Sequence, residues 1–234
     1  LDVSPDGETL VIEALGDLDT MPSTGGHATP ITSGIAFDSQ PTFSPDGAMI
    51  AFVSDRDGSE AIWIAGIDGS DPRKISTGVQ RTEFASPAWS PDGRHVIASK
   101  TTWGLGTFEV WAYHLDGGKG VRLTRAKPSS NTPRRSRSNA LGAVYGPDGR
   151  HLYYARKSGG FGYNIDLPQW QTVRRDLRDG SEDYLTNAGG SAFRPLLSPD
   201  GQMLVYGTRY ETRTGLRIRN LETGADTWLA YPIQ

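Results

Sequence analysis

The tetrapeptide SPDG stands at Ser4–Gly7 and returns at Ser44–Gly47, Ser90–Gly93 and Ser198–Gly201, and a near-copy, GPDG, stands at Gly146–Gly149. Ser first, Pro second and Gly fourth is the residue order that a type I turn favours. The prolines at positions 5, 45, 91, 147 and 199 are 40, 46, 56 and 52 residues apart. Such a period is typical of a four-stranded propeller blade. Local hydrogen bonding explains the Asp of each turn, so we interpret these residues as structural rather than catalytic or metal-binding.

Short β-rich runs surround every turn and define four strands, A to D, in each repeat. Strand B follows the turn, as at Met49–Val53, strand C is clear at Ala61–Ile64, and strand D closes the repeat, as at Arg73–Ser76. We therefore predict an all-β fold, a β-propeller of four-stranded antiparallel blades. The five blades are expected at about 1–34, 35–78, 79–126, 127–188 and 189–234.

The connections between the predicted strands differ in how much they vary. The A–B and C–D turns stay short, whereas the B–C loop grows from Asp55–Gly58 to Thr101–Phe108 and to about 158–169. The longest D–A loop is Ala126–Asn139. Antiparallel order places the A–B and C–D turns at one end of each blade and the variable loops at the other. We expect binding at the variable end, because function is usually carried by loops on a rigid scaffold.

Composition excludes several classes of function. The chain has 234 residues, no cysteine and a formal net charge of -3. A disulfide framework, a thiolate metal site and a cysteine nucleophile are therefore excluded, and no basic field favours nucleic acid. No apolar run reaches the roughly 18 residues of a membrane span. The four histidines form no zinc motif, and no G-x-S-x-G elbow is present. We predict no catalytic residue, no metal ligand and no cofactor in this segment.

Two alternative sites are weaker interpretations of the same residues. Asp55–Gly58 faintly resembles a calcium loop but lacks its further acidic ligands, so a hairpin turn is favoured. A five-bladed glycosidase would need a pair of carboxylates on its inner strands. The predicted inner strands carry one acidic residue, Asp2; these strands are Leu1–Val3, Gln40–Phe43, Ser86–Trp89, Gly142–Tyr145 and Arg194–Leu197.

Candidate binding residues cluster in the variable loops. Two interpretations of the basic run Pro133–Ser138 are open. It binds an anionic ligand or an acidic partner, or it is a solvated loop. The aromatic residues of the two long B–C loops are either anchors against another domain or local packing. The full candidate set is Asp38, Arg81, Trp103, Phe108, Arg134, Arg135, Phe161, Tyr163 and Trp170.

Two stretches carry a family resemblance: LDVSPDGETLVIEALGDLDTMP at 1–22 and ITSGIAFDSQPTFSPDGAMIAFVSDRDGSEAIWIAGIDGSDPRKIS at 31–76. They resemble propeller repeats of the TolB and tricorn-protease type. More closely, the segments AFDSQPTFSPDG and LDVSPDGETL are similar to the N-terminal propeller of bacterial proteins in which such repeats precede a metal-dependent amidohydrolase domain. The resemblance is strongest over residues 1–125 and continues more loosely through SPDGQMLVYGTRYETRTGLRIRNLETG.

The resemblance implies that this chain is a fragment of a propeller with six or more blades. It further implies that zinc or another divalent metal would belong to the catalytic domain of the larger hydrolase, and that the protein is periplasmic or secreted. The basic stretch within Ala126–Asn139 departs from the family pattern, which weakens any transfer of partners to that loop.

Two functions follow from these expectations. The first is a non-catalytic docking or substrate-gating segment of a bacterial amidohydrolase-like protein, with the C-terminal catalytic domain of the same chain as its partner. The second is a TolB-like periplasmic module that binds a separate protein and has no enzymatic activity. Neither involves nucleic acid or a membrane span.

Overall fold

The computed structural model describes residues 1–78, 81–102, 104–127, 129–158, 170–210 and 213–231. They form five four-stranded antiparallel sheets, each with its strands in chain order. This is the predicted β-propeller arrangement of five blades, and the described residues add only a 3-10 turn at Arg134–Ser136. Contacts divide the chain into two compact units, Leu1–Leu105 with Trp111–Arg122, and Gly106–Val110 with Leu123–Gln234.

The twenty strands fall four to a blade. Blade one has β1 Asp2–Val3, β2 Thr9–Ala14, β3 Asp17–Pro22 and β4 Thr29–Pro30; blade two has β5 Asp38–Phe43, β6 Met49–Ser54, β7 Ala61–Gly66 and β8 Arg73–Lys74. Blade three has β9 Thr82–Trp89, β10 His95–Thr102, β11 Glu109–His114 and β12 Val121–Arg122. Blade four has β13 Ser138–Tyr145, β14 His151–Ser158, β15 Gln171–Asp176 and β16 Glu182–Tyr184; blade five has β17 Phe193–Leu197, β18 Met203–Tyr210, β19 Arg213–Asn220 and β20 Asp226–Ala230.

The SPDG turn between strands A and B is closed by its own serine and aspartate. In blade two, Ser44 Oγ donates to Asp46 Oδ1 at 2.5 Å and accepts from Met49 N at 2.9 Å. Asp46 Oδ1 also accepts from Ala48 N at 3.1 Å. These hydrogen bonds lower the pKa of Asp46, and the bond from Ser44 has the larger effect. The serine and aspartate of the turn therefore have a structural role, as the recurrence of the motif predicts.

The same bonds recur in blades one, three and five. The serine–aspartate pairs are Ser4 with Asp6, Ser90 with Asp92 and Ser198 with Asp200. Blade four has Gly146 in place of the serine, and there Asp148 accepts from the backbone amides of Arg150 and His151. The fourth turn is thus closed by its aspartate together with the backbone bonds from Gly146 N to His151 O and from Gly149 N to Gly146 O.

Prolines and glycines of neighbouring SPDG turns touch within each unit. A Cβ built on Gly47 would lie 3.4 Å from Pro5 Cδ, and one on Gly201 would lie 2.7 Å from Pro147 Cγ. Both glycines also have φ of +71°, where a side chain is disfavoured. The glycine therefore adopts the positive φ that its own turn requires, and its missing side chain leaves space for the proline of the preceding blade's turn.

A second hydrogen bond to a side-chain hydroxyl lies at the end of strand D. In blade two, Ile75 N donates to Ile62 O at 3.0 Å, and Ile62 N donates to Ser76 Oγ at 2.8 Å. The serine side chain thus replaces a backbone carbonyl where the ladder stops. The same hydroxyl-to-amide bond joins Thr32 to Leu18, Thr124 to Val110 and Thr186 to Thr172.

Strand A begins earlier than the sequence indicates in blades two to four. The pattern predicts inner strands from Gln40, Ser86 and Gly142, whereas the strands begin at Asp38, Thr82 and Ser138. Gln40 and Ser86 have φ of +54° and +53°, and the register of their strands shifts at these points. A β-bulge at these positions interrupts the alternation of buried and exposed side chains that predicts a strand.

The core lies between neighbouring blades. Strand β6 is buried at every residue from Ile50 to Ser54, because both faces of its sheet are covered. One cluster joins blades one and two around Val11, Phe43 and Phe52, and another joins blades two and three around Ile64 and Tyr113. In the second unit, Leu204 and Tyr206 pack with Leu185 of blade four.

Blade five keeps one partly open face. By register, Leu196, Val205, Leu216 and Ile218 lie together opposite the face that carries Leu204 and Tyr206. Leu196 and Leu216 remain 61% and 42% exposed. We expect this apolar face to make the purified chain prone to self-association.

Replacing Ser76 tests the hydroxyl that ends strand D. Ser76→Ala leaves the buried amide of Ile62 without its acceptor, which should lower the free energy of unfolding by about 2 kcal/mol. Ser76→Thr retains the oxygen and is the residue used at three equivalent positions, so it should cost less than half as much. Urea unfolding of both variants checks this, and equal losses would contradict it.

Two glycine substitutions test the contact between neighbouring turns. Gly7→Ala meets nothing within 4 Å and carries only the penalty of its positive φ, about 1 kcal/mol. Gly201→Ala carries that penalty and also collides with Pro147, which should add about another 1 kcal/mol or more. Thermal unfolding of the two variants measures the difference, and equal melting temperatures would refute the contact.

Candidate functional site

Each blade has a constant edge and a variable edge. All five A–B connections contain five residues, 4–8, 44–48, 90–94, 146–150 and 198–202, and the C–D connections contain five or six. The B–C connections contain 2, 6, 6, 12 and 2 residues, and the D–A connections 7, 7, 15 and 8. We call the ends that carry the A–B and C–D turns the corner edge and the opposite ends the variable edge. The predicted one-sided variation is present in both units.

Asp38 lies at the variable edge of the first unit, but its carboxylate is covered. It is 2% exposed, and Arg56 Nη2 lies 2.9 Å from both of its oxygens. The Arg56 guanidinium also lies 5.0 Å from the ring centroids of Phe52 and Trp63. An ion pair in which one guanidinium nitrogen contacts both carboxylate oxygens fixes the backbone where the D–A loop enters strand β5. Asp38 therefore acts as a positioning residue for the edge.

The turn at Asp55–Gly58 is a hairpin, because Gly58 N donates to Asp55 O at 2.7 Å. Asp55 Oδ1 accepts from Phe37 N at 2.8 Å, and so ties this turn to the preceding D–A loop. Arg81, another candidate, is exposed and has φ of +64°. The variable edge of the first unit is thus a set of short loops linked by side-chain-to-backbone hydrogen bonds.

Phe108 and Trp170 lie at the variable edge of the second unit, and both are partly buried. Phe108 N donates to Asn139 Oδ1 at 2.9 Å, and Phe108 O accepts from Ala140 N at 3.0 Å. Trp170 O accepts from Ala192 N at 2.7 Å. Lys157 Nζ lies 5.3 Å from the centroid of the Trp170 ring, a cation–π distance. Both backbones are fixed by these bonds, and both residues keep part of their surface exposed to solvent.

The remaining candidates are in the longer loops. Arg135 is exposed in the 3-10 turn that precedes strand β13, and the side chain of its neighbour Arg134 is outside the described residues. Trp103, Phe161 and Tyr163 also lie outside the described residues. Their assignment to a binding edge stays a prediction.

Three apolar side chains at the variable edge of the first unit were not among the residues predicted from the sequence. Leu15, Ile35 and Phe37 are 105%, 106% and 56% exposed. The signal was available in the sequence: Leu15–Gly16 occupies a tight turn where Asn-Gly is usual, and Ile35–Phe37 is an apolar run inside a loop.

Titratable groups with a potential for chemistry lie mainly elsewhere. The rings of His95 and His114 are in contact at a centroid distance of 5.0 Å, and His151 Nδ1 lies 2.5 Å from Asp148 Oδ2, all at corner edges. The Asp2 carboxylate accepts from Thr42 Oγ1 and Phe43 N, both at 2.9 Å, and so joins two inner strands. Among the described residues, no three His, Asp or Glu side chains converge on a metal-sized site.

Burial raises the pKa of Glu60 at the variable edge of blade two. Its Oε2 accepts from Phe84 N at 2.9 Å, which gives this carboxylate a structural role between blades two and three. No helix of the described residues has the length and apolar character needed to cross a membrane.

Comparison with known proteins identifies the type of propeller. A family model described as the TolB beta propeller domain matches residues 2–141. The uncharacterized peptidase YuxL of Bacillus subtilis is 29% identical over 187 residues, 78% of this chain and 23% of that protein. Tricorn protease homolog 1 of Streptomyces coelicolor is 31% identical over 122 residues, 51% of this chain and 11% of that protein. The chain therefore spans less than a quarter of the length of either relative.

Solved structures support the same fold. A TolB-type protein of Agrobacterium tumefaciens superposes with a TM-score of 0.77 at 22% identity, over 97% of this chain and 78% of that one. Identity at this level shows the fold alone. The peptidase, tricorn and TolB relatives support the coarser of the two resemblances seen in the sequence, and the amidohydrolase connection remains a hypothesis.

Proposed function

Because this chain belongs to the TolB β-propeller domain family, we propose that it is a non-catalytic binding module whose variable edges dock a protein surface. The observation that carries the proposal is the contrast between the two edges. Within each blade the A–B connection, five residues long in all five, lies at one edge, and connections of 2 to 15 residues lie at the other edge. A scaffold that tolerates such variation on one side only is suited to present a recognition surface there.

Pinned side chains at the variable edges support docking rather than turnover. Phe108 and Trp170 present aromatic surface from backbones fixed by hydrogen bonds, so little conformational entropy is lost when a partner covers them. Partly exposed aromatic rings of this kind commonly anchor protein interfaces. The carboxylates Asp38 and Asp2 are already engaged in structural contacts.

The partner in the leading form of the proposal is a hydrolase domain of the same polypeptide. Two relatives are named as a peptidase and a tricorn protease homologue, and each is several times longer than the segment it shares with this chain. The finer hypothesis is an amidohydrolase-like domain holding zinc or another divalent metal, in a periplasmic or secreted protein. The alternative is a TolB-like module that binds a separate protein.

A hydrolysis assay tests the non-catalytic part of the proposal. The purified chain, with zinc added, should hydrolyse amide substrates no faster than zinc in buffer, because among the described residues no three His, Asp or Glu side chains converge on a site for the metal. Turnover at an enzyme-like rate of about 1 per second or more would contradict the proposal.

A binding measurement tests docking. Reading the gene beyond codon 234 decides which partner to use: an H-x-H pair in the following residues supports an amidohydrolase domain, and a stop codon soon afterwards supports a separate protein. Trp170→Ala should weaken calorimetric binding of that domain or protein about tenfold or more, as expected for a buried aromatic anchor. Val121→Ala removes exposed apolar surface from strand β12 and is the matched control. Equal affinities for the two variants would exclude Trp170 as an anchor.

A further inference from the structure

Leu15 occupies a backbone conformation that its side chain disfavours. It forms a two-residue turn with Gly16 between paired Ala14 and Asp17, and the φ values of the two residues are +57° and +93°. A turn with two positive φ angles favours Asn, Asp or Gly at the first position. Leucine is disfavoured in this conformation, and its fully exposed side chain buries no apolar surface in the fold. A strained residue that adds nothing to packing is a feature of functional positions.

Two further apolar side chains are held beside this turn. Asp38 N donates to Gly16 O at 2.8 Å, which fastens the D–A loop to the turn. A Cβ built on Gly16 would lie 2.9 Å from Phe37 Cδ2, so the Phe37 ring packs directly over the glycine. Ile35 stands two residues before Phe37 and is fully exposed. The hydrogen bonds around the turn fix the loop, although its apolar side chains face solvent.

The charges around these side chains are negative. Glu13 and Asp17 flank the turn. Glu13 Oε2 accepts the amide proton of Gln40 at 2.9 Å, and Asp55 Oδ1 accepts that of Phe37 at 2.8 Å, so these two carboxylates are held in place but keep their charge. Within the described part of the chain, none of these three carboxylates has an ion-pair partner. The nearby cation Arg56 is already paired with Asp38. Apolar contact area framed by uncompensated carboxylates complements a partner that carries apolar side chains among basic ones.

We infer that Leu15, Ile35 and Phe37, with Glu13, Asp17 and Asp55, form a docking patch for a protein segment that combines apolar anchors with Lys or Arg. This inference rests on the proposed function and names the chemistry of the partner at the first unit's variable edge. The apolar side chains supply the contact area, and the carboxylates select basic partners and speed their approach.

Peptide selection on the purified chain tests the patch. The probe is a random dodecapeptide library displayed on phage, and the selected peptides are then synthesised and titrated. The patch predicts sequences that join Leu, Ile or Phe to Lys or Arg. Leu15→Asn and Phe37→Ser should each weaken their binding tenfold or more. Asp17→Asn should weaken it less and reduce its salt dependence. Val121→Ser and Glu222→Gln, which lie away from the patch, are the controls for apolar surface and charge.

The Leu15→Asn variant separates recognition from folding. Because Asn tolerates the left-handed conformation, its melting temperature should rise by about 2 °C while peptide binding falls. No enrichment over a bait-free surface, selected peptides that lack basic residues, or unchanged binding by Leu15→Asn would overturn the inference. Peptides that lose affinity only for Phe108→Ala or Trp170→Ala would refute this patch but leave the proposed docking function standing.

Discussion

The aspartate of the SPDG and GPDG turns makes the contact on which the regularity of the blades depends. In all five turns its Oδ1 accepts from the amide two residues on, as Asp46 does from Ala48 and Asp148 from Arg150. In four turns the serine hydroxyl adds a bond to this carboxylate and accepts from the amide five residues on, as Ser44 does with Asp46 and Met49. The A–B connection contains five residues in every blade, including the fourth, where Gly146 replaces the serine.

Rigid corners explain why the opposite edge is free to vary. Contacts such as Pro147 on Gly201 and the Asp46 carboxylate on the Ala48 amide stabilise the blades without using the B–C and D–A loops. Those loops can then differ in length and can carry a strained, exposed residue such as Leu15. The cost of that strain is small beside the interblade packing around residues such as Phe52 and Ile64. The constant turns thus lie at one end of each sheet, and the exposed apolar residues of the variable loops lie at the other.

Sequence alone predicted the blades because the turn chemistry is local: Ser, Pro, Asp and Gly specify their own geometry. It failed where the geometry depends on distant partners. The inner strands begin earlier than their pattern indicates, since left-handed residues such as Gln40 and Ser86 interrupt the alternation. Ser76 looked like a strand residue, although its side chain stands in for a carbonyl. The aromatic candidates were found from loop length, whereas Leu15 was missed because its backbone angle and exposure are properties of the folded chain.

The contrast between the corner turns and the variable loops can be measured by native-state amide hydrogen exchange under increasing denaturant. The amides of Met49, His95 and Met203, which donate to the turn serines, should exchange only through global unfolding. Amides of the variable loops, such as Ile35, should exchange through local opening at far lower free energy. Exchange of the three corner amides by local opening, with the loops better protected, would contradict this contrast.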